Sequence, residues 1–539
     1  MTLQVARAVD NLERYNVTRS NVNIYNNVIV GNLLQFQHTS QKELEQQFIS
    51  SLTGPQEWAK LLLDPINNLL HQHPLLAHVV GDHLTAKPMF LCLENIDLLE
   101  LIRIVPIKTP AEVGRVFEQE HNLPFDLSNQ SIPLWRLTIA PIEEGDTQSF
   151  YLLYTFHHVI GDGRSAMALT DQLVQHLNLQ AKKATNGAVF SNSSNTTKIQ
   201  IASTKPIPES IESRINCYPS LRTLICEATR ALLLPGFLKK ALEIKYWAGE
   251  LDSSLETPNV TELALLQLTT QETLKVIQAA KRHSTTVQAI LYTASVFAAK
   301  FVFMSNRRPV PLGEGPYEDD NNPIEEEAIV FATPVSLRDL IPNPIAPDDQ
   351  GNYTSEFLDY NVRVRDDSSF WEMTAVYRRR IIEATTTARG LQDLLEHFGM
   401  LSLLPKKDGG WESYMVSKVH KDQHGRKATI KLSNIGRGWE QSKTTSDDHV
   451  AENGNDDDVA IPRFLIKDGV FSQSSGVTAS ALTMSVATAN GVMTISTTWQ
   501  KAAFRGRARG ELFMSEFKRI LFEAIEDGKV DYMFKDAKR

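Results

Sequence analysis

Two adjacent histidines, His157 and His158, stand just before the glycine-containing turn Gly161-Asp162-Gly163. They follow the apolar run 150–156, which predicts a buried strand, and precede residues 165–177, whose apolar positions have helical spacing. A histidine at the end of a strand can project into a cleft, and its ordinary pKa lies near neutrality. Such a side chain can take a proton from an attacking group and return it to a leaving group.

Three other interpretations compete for this segment. A metal site would need His157 and His158 to converge, but neighbours on an extended chain point to opposite faces. Residues 161–166 match the dinucleotide pattern G-x-G-x-x-A. Against it, Asp162 would face the pyrophosphate, and polar low-complexity sequence follows the helix where a second strand is required. The third interpretation is a pair of core histidines in a tight turn, since residues 78–82 repeat the bare His-x-x-x-Asp spacing.

Helices and strands are both predicted around the motif and in the second half of the chain. Residues 285–303 form an apolar run typical of a buried helix. Residues 482–486 and 493–497 alternate in polarity, and Asn490-Gly491 between them predicts a hairpin because both residue types tolerate positive φ. The mixture indicates an α/β or α+β class.

Composition excludes several classes of protein. The 539 residues carry a formal net charge of -9 without any strongly basic run, so nucleic-acid binding is not expected. The three cysteines, Cys92, Cys217 and Cys226, have no zinc-ligand spacing, so no metal site is predicted and a reducing, cytoplasmic location is expected. No run is long enough to predict a transmembrane segment, although the short apolar segment 231–238 leaves peripheral membrane contact open.

The length predicts two domains or lobes. We place an N-terminal lobe at 1–205, a connecting segment at 206–256 that is helix-like from 211 to 247, and a C-terminal lobe at 257–539. The polar stretch 180–205 is interpreted as a surface loop, and the acidic segments 314–327 and 441–459 as insertions.

The segment 157–163 resembles the HHxxxDG motif of the chloramphenicol acetyltransferase-like superfamily, which includes condensation domains and the fungal alcohol acetyltransferases. Further blocks resemble the fungal alcohol acetyltransferase family and follow its order from about residue 5 to residue 505. These blocks are 12–15, 23–28, 73–76, 133–137, 333–338, 351–353, 432–436 and 471–474. The DFGWG motif of the plant branch is absent from the sequence.

This resemblance implies a two-lobed chloramphenicol acetyltransferase-like fold, with mixed sheets, helices and a channel between the lobes. It implies that His158 is the general base for transfer of an acyl group, acetyl above all, from acyl-CoA to a small-molecule alcohol. Acyl-CoA would be a co-substrate, with no bound cofactor.

The resemblance also assigns supporting residues. Asp162 would point away from the channel and pair with Arg338, which fixes the turn that aims His158. Gly163 would permit the turn into the following helix, and His157 would pack or hydrogen-bond beneath the channel. Asn434 and Gln473 would line the channel, where either could donate a hydrogen bond to the oxyanion or be satisfied locally.

Two alternatives of other kinds remain open. A condensation-type enzyme would take its acyl group from a carrier-protein thioester, and a catalytically silent relative would only bind a ligand or partner. The acceptor could also be an amine, because the same base serves both. The two lobes suffice for a monomer, which is the expected state.

Overall fold

The computed structural model describes residues 3–37, 51–145, 148–183, 196–201, 205–229, 235, 244–251, 254–255, 257–304, 328–419, 425–439, 463–526 and 531–538. The two predicted insertions, 314–327 and 441–459, lie outside the described residues, as do most of the polar stretch 180–205 and, apart from Pro235, the apolar segment 231–238.

The described strands are β1 Gln4–Ala8, β2 Val28–Gln37, β3 His78–Gly81, β4 Met89–Cys92, β5 Asn95–Asp97, β6 Ile102–Ile104, β7 Trp135–Pro141, β8 Ser149–Phe156, β9 Lys198–Gln200, β10 Thr261–Leu268, β11 Ile329–Ser336, β12 Thr354–Val362, β13 Ala428–Gly438, β14 Arg463–Gln473, β15 Ser480–Ala489 and β16 Val492–Gln500.

The described α-helices are α1 Asn11–Asn21, α2 Pro55–Gln72, α3 Val113–His121, α4 Gly163–Lys183, α5 Ile211–Arg214, α6 Leu221–Ala228, α7 Thr270–Arg282, α8 Val287–Met304, α9 Phe370–Thr386, α10 Ala388–Gly399, α11 Gly410–Val419, α12 Arg507–Ala524 and α13 Phe534–Ala537.

The first large sheet has the strand order β14-β2-β8-β7-β6 and contains the strand that leads into the motif. Its pairs are antiparallel except for β6 and β7, which are parallel. All eight residues of β8 are buried because both faces of this strand are covered. Tyr154 and Phe156 pack in the same core as the apolar face of α4, and Tyr151 and Leu153 pack with α3. The predicted strand at 150–156 and the predicted helix at 165–177 are therefore confirmed.

One strand of the first sheet comes from the far end of the chain. Strand β14 pairs antiparallel with β2, with Phe471 opposite Val30. By sequence, β14 belongs to the predicted C-terminal lobe 257–539, so the predicted lobe boundary and the sheets do not coincide at this strand. A cut in the sequence cannot separate the two lobes cleanly.

The second large sheet has the order β10-β16-β15-β13-β11-β12. The sheet is mixed. Strand β13 runs parallel to both β11 and β15, and the other strand pairs of the sheet are antiparallel. Strands β15 and β16 form the predicted hairpin, in which Asn490 has φ 48° and Gly491 has φ 80°. Positive φ at both turn residues gives the twist that a two-residue hairpin needs.

Helix α8 confirms the buried helix predicted at 285–303. It packs against α9 and α12. Among the described residues, it is the one helix whose length and mean hydropathy of 1.6 would allow a membrane crossing, and 78% of it is buried inside the protein. It is accordingly a core helix. The connecting segment predicted to be helix-like over 211–247 contains, in its described part, the two short helices α5 and α6.

Candidate active site

His158 lies in the turn between β8 and α4 with one ring nitrogen tied to the backbone. Its Nδ1 is 2.8 Å from the carbonyl oxygen of Gly161. A carbonyl oxygen can only accept a hydrogen bond, so Nδ1 carries the proton in the neutral ring. This tautomer leaves the lone pair of His158 on Nε2, which is the form that a general base requires.

The ring of His158 lines a cavity of about 160 Å³. The walls come from both lobes: helix α1 on one side, and the second sheet with helix α10 on the other. The cavity is thus placed between the lobes, with the histidine on its wall. The polar lining residues are Tyr15, Asn16, Arg19, Asn352, Thr354, Ser355, Glu356, His397, Lys427, Lys431 and Ser480.

Burial lowers the pKa of His158 to about 4, and the positive charges of Arg19 and Lys431 act in the same direction. The carboxylate of Asp162 and the hydrogen bond to Gly161 oppose them. A neutral ring is therefore the dominant form of His158 across the physiological pH range.

His157 is fully buried and does not contribute to the cavity lining in the described part of the chain. The backbone N–H of Val159 donates to its Nδ1 at 3.1 Å, so the proton of the neutral ring is on Nε2, 2.7 Å from the hydroxyl of Ser20. Burial lowers the pKa of His157 to about 3. With both ring nitrogens occupied, His157 anchors the end of β8 to helix α1.

Asp162 and Arg338 form an ion pair buried between the two halves of the chain. Nη2 of Arg338 lies 3.0 Å from each carboxylate oxygen, and both side chains are almost completely buried. The guanidinium carbon also lies 4.6 Å from the centre of the Tyr353 ring. The pair is the contact that the resemblance implied, and its role in aiming His158 stays a prediction.

The carboxylate of Asp162 also holds backbone groups from two segments. It accepts from the N–H of Ser165 at 2.9 Å, in the first turn of α4, and from the N–H of Tyr353 at 3.1 Å. Burial opposes its ionisation, but Arg338 and these donors outweigh burial and lower the pKa of Asp162. One ionised side chain thereby joins the histidine turn, helix α4 and the loop before β12.

Gly163 has a different role from the one predicted. It does not adopt positive φ, so the turn does not need glycine for its backbone conformation. A Cβ at this position would lie 2.6 Å from Cγ2 of Ile435 and 2.9 Å from two ring atoms of Phe471. The glycine is required because β13 and β14 approach the start of α4 this closely.

We expect Gly163→Ala to lower the free energy of unfolding by about 1–3 kcal/mol, because the added methyl group must displace two buried side chains. Gly114→Ala is the matched control, since its Cβ would meet Leu263 at an ordinary 3.6 Å near the start of α3. Alanine there should be neutral or stabilising. Urea unfolding of both variants tests the difference, and equal effects would contradict the packing argument.

The structure does not bring Asn434 and Gln473 to the cavity that His158 lines, as far as the described residues go. Oδ1 of Asn434 accepts from the N–H of Gly436 at 2.9 Å, and the buried amide of Gln473 donates to the hydroxyl of Ser485 at 3.2 Å. Both are satisfied locally in this structure. Their contribution to an oxyanion site stays a prediction.

Sequence reasoning did not identify three groups at the site: the carbonyl of Gly161, Arg19 and Lys431. The carbonyl could not be found, because backbone direction in a turn is not visible in residue types. Arg19 follows Tyr15 by four residues on α1, and this spacing puts both on one helix face. The presence of an arginine and a tyrosine on one helix face was therefore a signal available in the sequence. Among the described residues, no cluster of three or more histidine, cysteine or acidic side chains could hold a metal ion.

Comparison with known proteins gives concordant results. The sequence model of the alcohol acetyltransferase family matches residues 114–521. A probable alcohol acetyltransferase, crmB of Aspergillus fumigatus, is 33% identical over 110 residues, and this match covers 19% of the chain and 23% of that relative. Sequence similarity to this relative thus extends over about a quarter of its length.

Solved structures are similar over almost the whole chain. The trichothecene 15-O-acetyltransferase TRI3 of Fusarium sporotrichioides aligns with a TM-score of 0.63 at 12% identity, covering 96% of this chain and 94% of that one. The condensation domain of the monacolin K polyketide synthase MokA aligns with a TM-score of 0.55 at 9% identity, covering 98% and 100%. At such identities the likeness concerns the fold, and it supports the two-lobed architecture predicted from the sequence.

Proposed function

The chain belongs to the alcohol acetyltransferase family, and on this premise we propose that it transfers an acyl group from acyl-CoA to a hydroxyl acceptor, with Nε2 of His158 as the general base. The observation that carries the proposal is the bond from Nδ1 of His158 to the Gly161 carbonyl. It leaves the unprotonated nitrogen on a histidine that lines a cavity between the lobes.

The reaction needs one proton to move twice. Nε2 of His158 takes the proton of the acceptor hydroxyl while its oxygen attacks the thioester carbonyl carbon. The tetrahedral intermediate then collapses, the carbon–sulfur bond breaks, and the proton passes from Nε2 to the thiolate. The products are the ester and free CoA. A base placed in this way contributes roughly 10²–10⁴-fold to the rate.

The test of this function is release of free thiol by the wild-type protein, measured for acetyl-CoA and longer acyl-CoAs with a panel of alcohols. We expect thiol release that depends on the acceptor. If a carrier-protein thioester supports thiol release and none of the acyl-CoAs does, the acyl donor is the carrier-protein thioester and not acyl-CoA. Acyl-CoA binding by calorimetry without turnover on any donor would favour a silent relative.

The pH dependence of kcat/KM follows from the depressed pKa of His158. The base is lost only when the ring is protonated, and burial moves this step to a pKa of about 4. We expect kcat/KM to be level from about pH 5.5 to pH 8 and to decline below that range. A pH–rate profile checks this, with circular dichroism at each pH to exclude unfolding. A decline in kcat/KM with a midpoint near pH 6.5, the ordinary pKa of histidine, would contradict the argument that burial lowers the pKa of His158.

A further inference from the structure

The cavity beside His158 carries more positive than negative charge. Three basic side chains, Arg19, Lys427 and Lys431, line it together with one carboxylate, Glu356. Lys427 and Glu356 pair at 2.5 Å. Burial opposes ionisation of Glu356, but the charges of Lys427 and Lys431 outweigh it and lower its pKa to about 2. Two cations are left without a carboxylate of their own.

Arg19 is the more constrained of the two. Its guanidinium carbon lies 4.7 Å from the centre of the Tyr15 ring and 4.0 Å from that of Tyr25, and the residue is 9% exposed. One terminal nitrogen donates to Asn16, whereas its buried Nε has no hydrogen-bond partner among the described residues. None of the described carboxylates pairs with Arg19. Holding a cation in this state is costly unless an anion arrives.

Lys431 is the second cation. It lies on β13, and no ion pair to it is formed within the described part of the chain. Burial lowers the pKa of Lys431 to about 8, with the carboxylate of Glu356 acting against this. At pH 7 the amine is therefore still protonated in most molecules. Arg19 from helix α1 and Lys431 from the second sheet thus present two positive charges to one cavity.

Resting on the proposed function, we propose that this cavity binds a carboxylate carried by one of the two substrates close to the reacting carbon, with Arg19 and Lys431 as its ligands. A guanidinium and an amine are the two side chains that best recognise a carboxylate. The carboxylate belongs either to the acceptor, which is then a hydroxy acid, or to the acyl group, which is then a dicarboxylic half-thioester.

The position of Arg19 argues against a phosphate of CoA as the anion. The centre of the Tyr25 ring lies 4.0 Å from the guanidinium carbon of Arg19 and 6.1 Å from the imidazole centre of His158. The distance from the guanidinium carbon to the imidazole centre is therefore no larger than the sum of these two distances. An extended pantetheine arm, about 13 bonds long, separates the thioester sulfur from the first phosphate by roughly 16 Å. With the thioester at His158, the phosphates lie beyond Arg19.

The test compares matched substrates that differ in one charge. In the acceptor arm, acetyl-CoA is combined with lactate, mandelate or hydroxymethylbenzoate, and with the primary amide of each. In the donor arm, malonyl-CoA and succinyl-CoA are compared with acetyl-CoA on a neutral alcohol. We expect kcat/KM to favour the carboxylate in one arm by about ten- to hundredfold. The favoured arm identifies which substrate carries the group.

Variants show whether the two cations cause the preference. Arg19→Gln and Lys431→Gln should each abolish it, mainly through KM, and Lys431→Gln stands in if the first variant does not fold. Arg14→Gln is the matched control on the same helix. Arg14 is also buried and stacked, 4.8 Å from the ring centre of Trp411, but it does not line the cavity. It should keep the preference.

Three results would overturn the proposal. One is equal kcat/KM for carboxylates and amides in both arms. Another is a preference that survives in both cavity variants. The third is a loss in the variants that disappears when the donor is an N-acetylcysteamine thioester, which would assign the cations to CoA phosphates. If no donor supports turnover, the proposed function fails separately, and thermal stabilisation by lactate or mandelate against their amides then decides the carboxylate question.

Discussion

Replacing His158 with alanine is expected to lower kcat about a hundredfold or more while the protein stays folded. The variant removes Nε2, the nitrogen proposed to take the acceptor proton. The ring faces the cavity, and among the described residues its hydrogen bond is to the Gly161 carbonyl. Loss of activity should therefore exceed anything explained by loss of stability. Thiol release under saturating donor, with thermal unfolding in parallel, measures both.

The matched control is His71→Ala, on the exposed face of α2. This variant also replaces a histidine with alanine, but at a position away from the cavity, so it should leave kcat unchanged. His158→Gln extends the test, because it retains polarity and approximate size yet cannot take up the proton. If His158→Ala turns over as fast as the wild type, the general base has been wrongly assigned.

The second large effect is expected on stability, from Asp162→Asn. The substitution leaves Arg338 buried with its charge uncompensated, and breaking a buried pair in this way typically costs about 3–5 kcal/mol. Hydrogen bonds to the Ser165 and Tyr353 amides are weakened too, because an amide oxygen carries less charge than a carboxylate. Urea unfolding at neutral pH gives the change in free energy.

An exposed ion pair supplies the control for Asp162. Arg389 and Asp393 are 3.8 Å apart on α10, with side chains 71% and 68% exposed. Asp393→Asn should cost less than about 1 kcal/mol. Combining Asp162→Asn with Arg338→Met removes both charges, so the double variant should lose less than the two single variants together. Strict additivity would show that the two residues do not act as a pair.

Much of the site could be predicted because its residues lie together in sequence. His157, His158, Asp162 and Gly163 occupy one turn, and a strand and a helix with clear periodicity flank it. The structure confirms both elements. The packing reason for Gly163 could not be predicted, because Ile435 and Phe471 reach it from strands about 300 residues away.

The rest of the site depends on contacts between distant segments. Sequence periodicity shows that a residue is buried but not which partner buries it. Arg19 is one example, since its tyrosine neighbours follow from helix spacing and a nearby loop, but its position beside Lys431 depends on how the lobes meet. The lobe boundary is another example. Residues 463–473 belong by sequence to the C-terminal lobe, and nothing in their residue types assigns them to the first sheet.

The pairing of β2 with β14 affects how the chain folds while it is being synthesised. On the ribosome, β2 emerges roughly 400 residues before its edge partner, which at about 5–20 residues per second is a delay of about 20–80 s. During that interval the edge of β2 beside the buried residues Val28, Ile29 and Val30 has no native strand to pair with. Completion of the first sheet waits until β14 has been made, and it also joins the two lobes around the cavity.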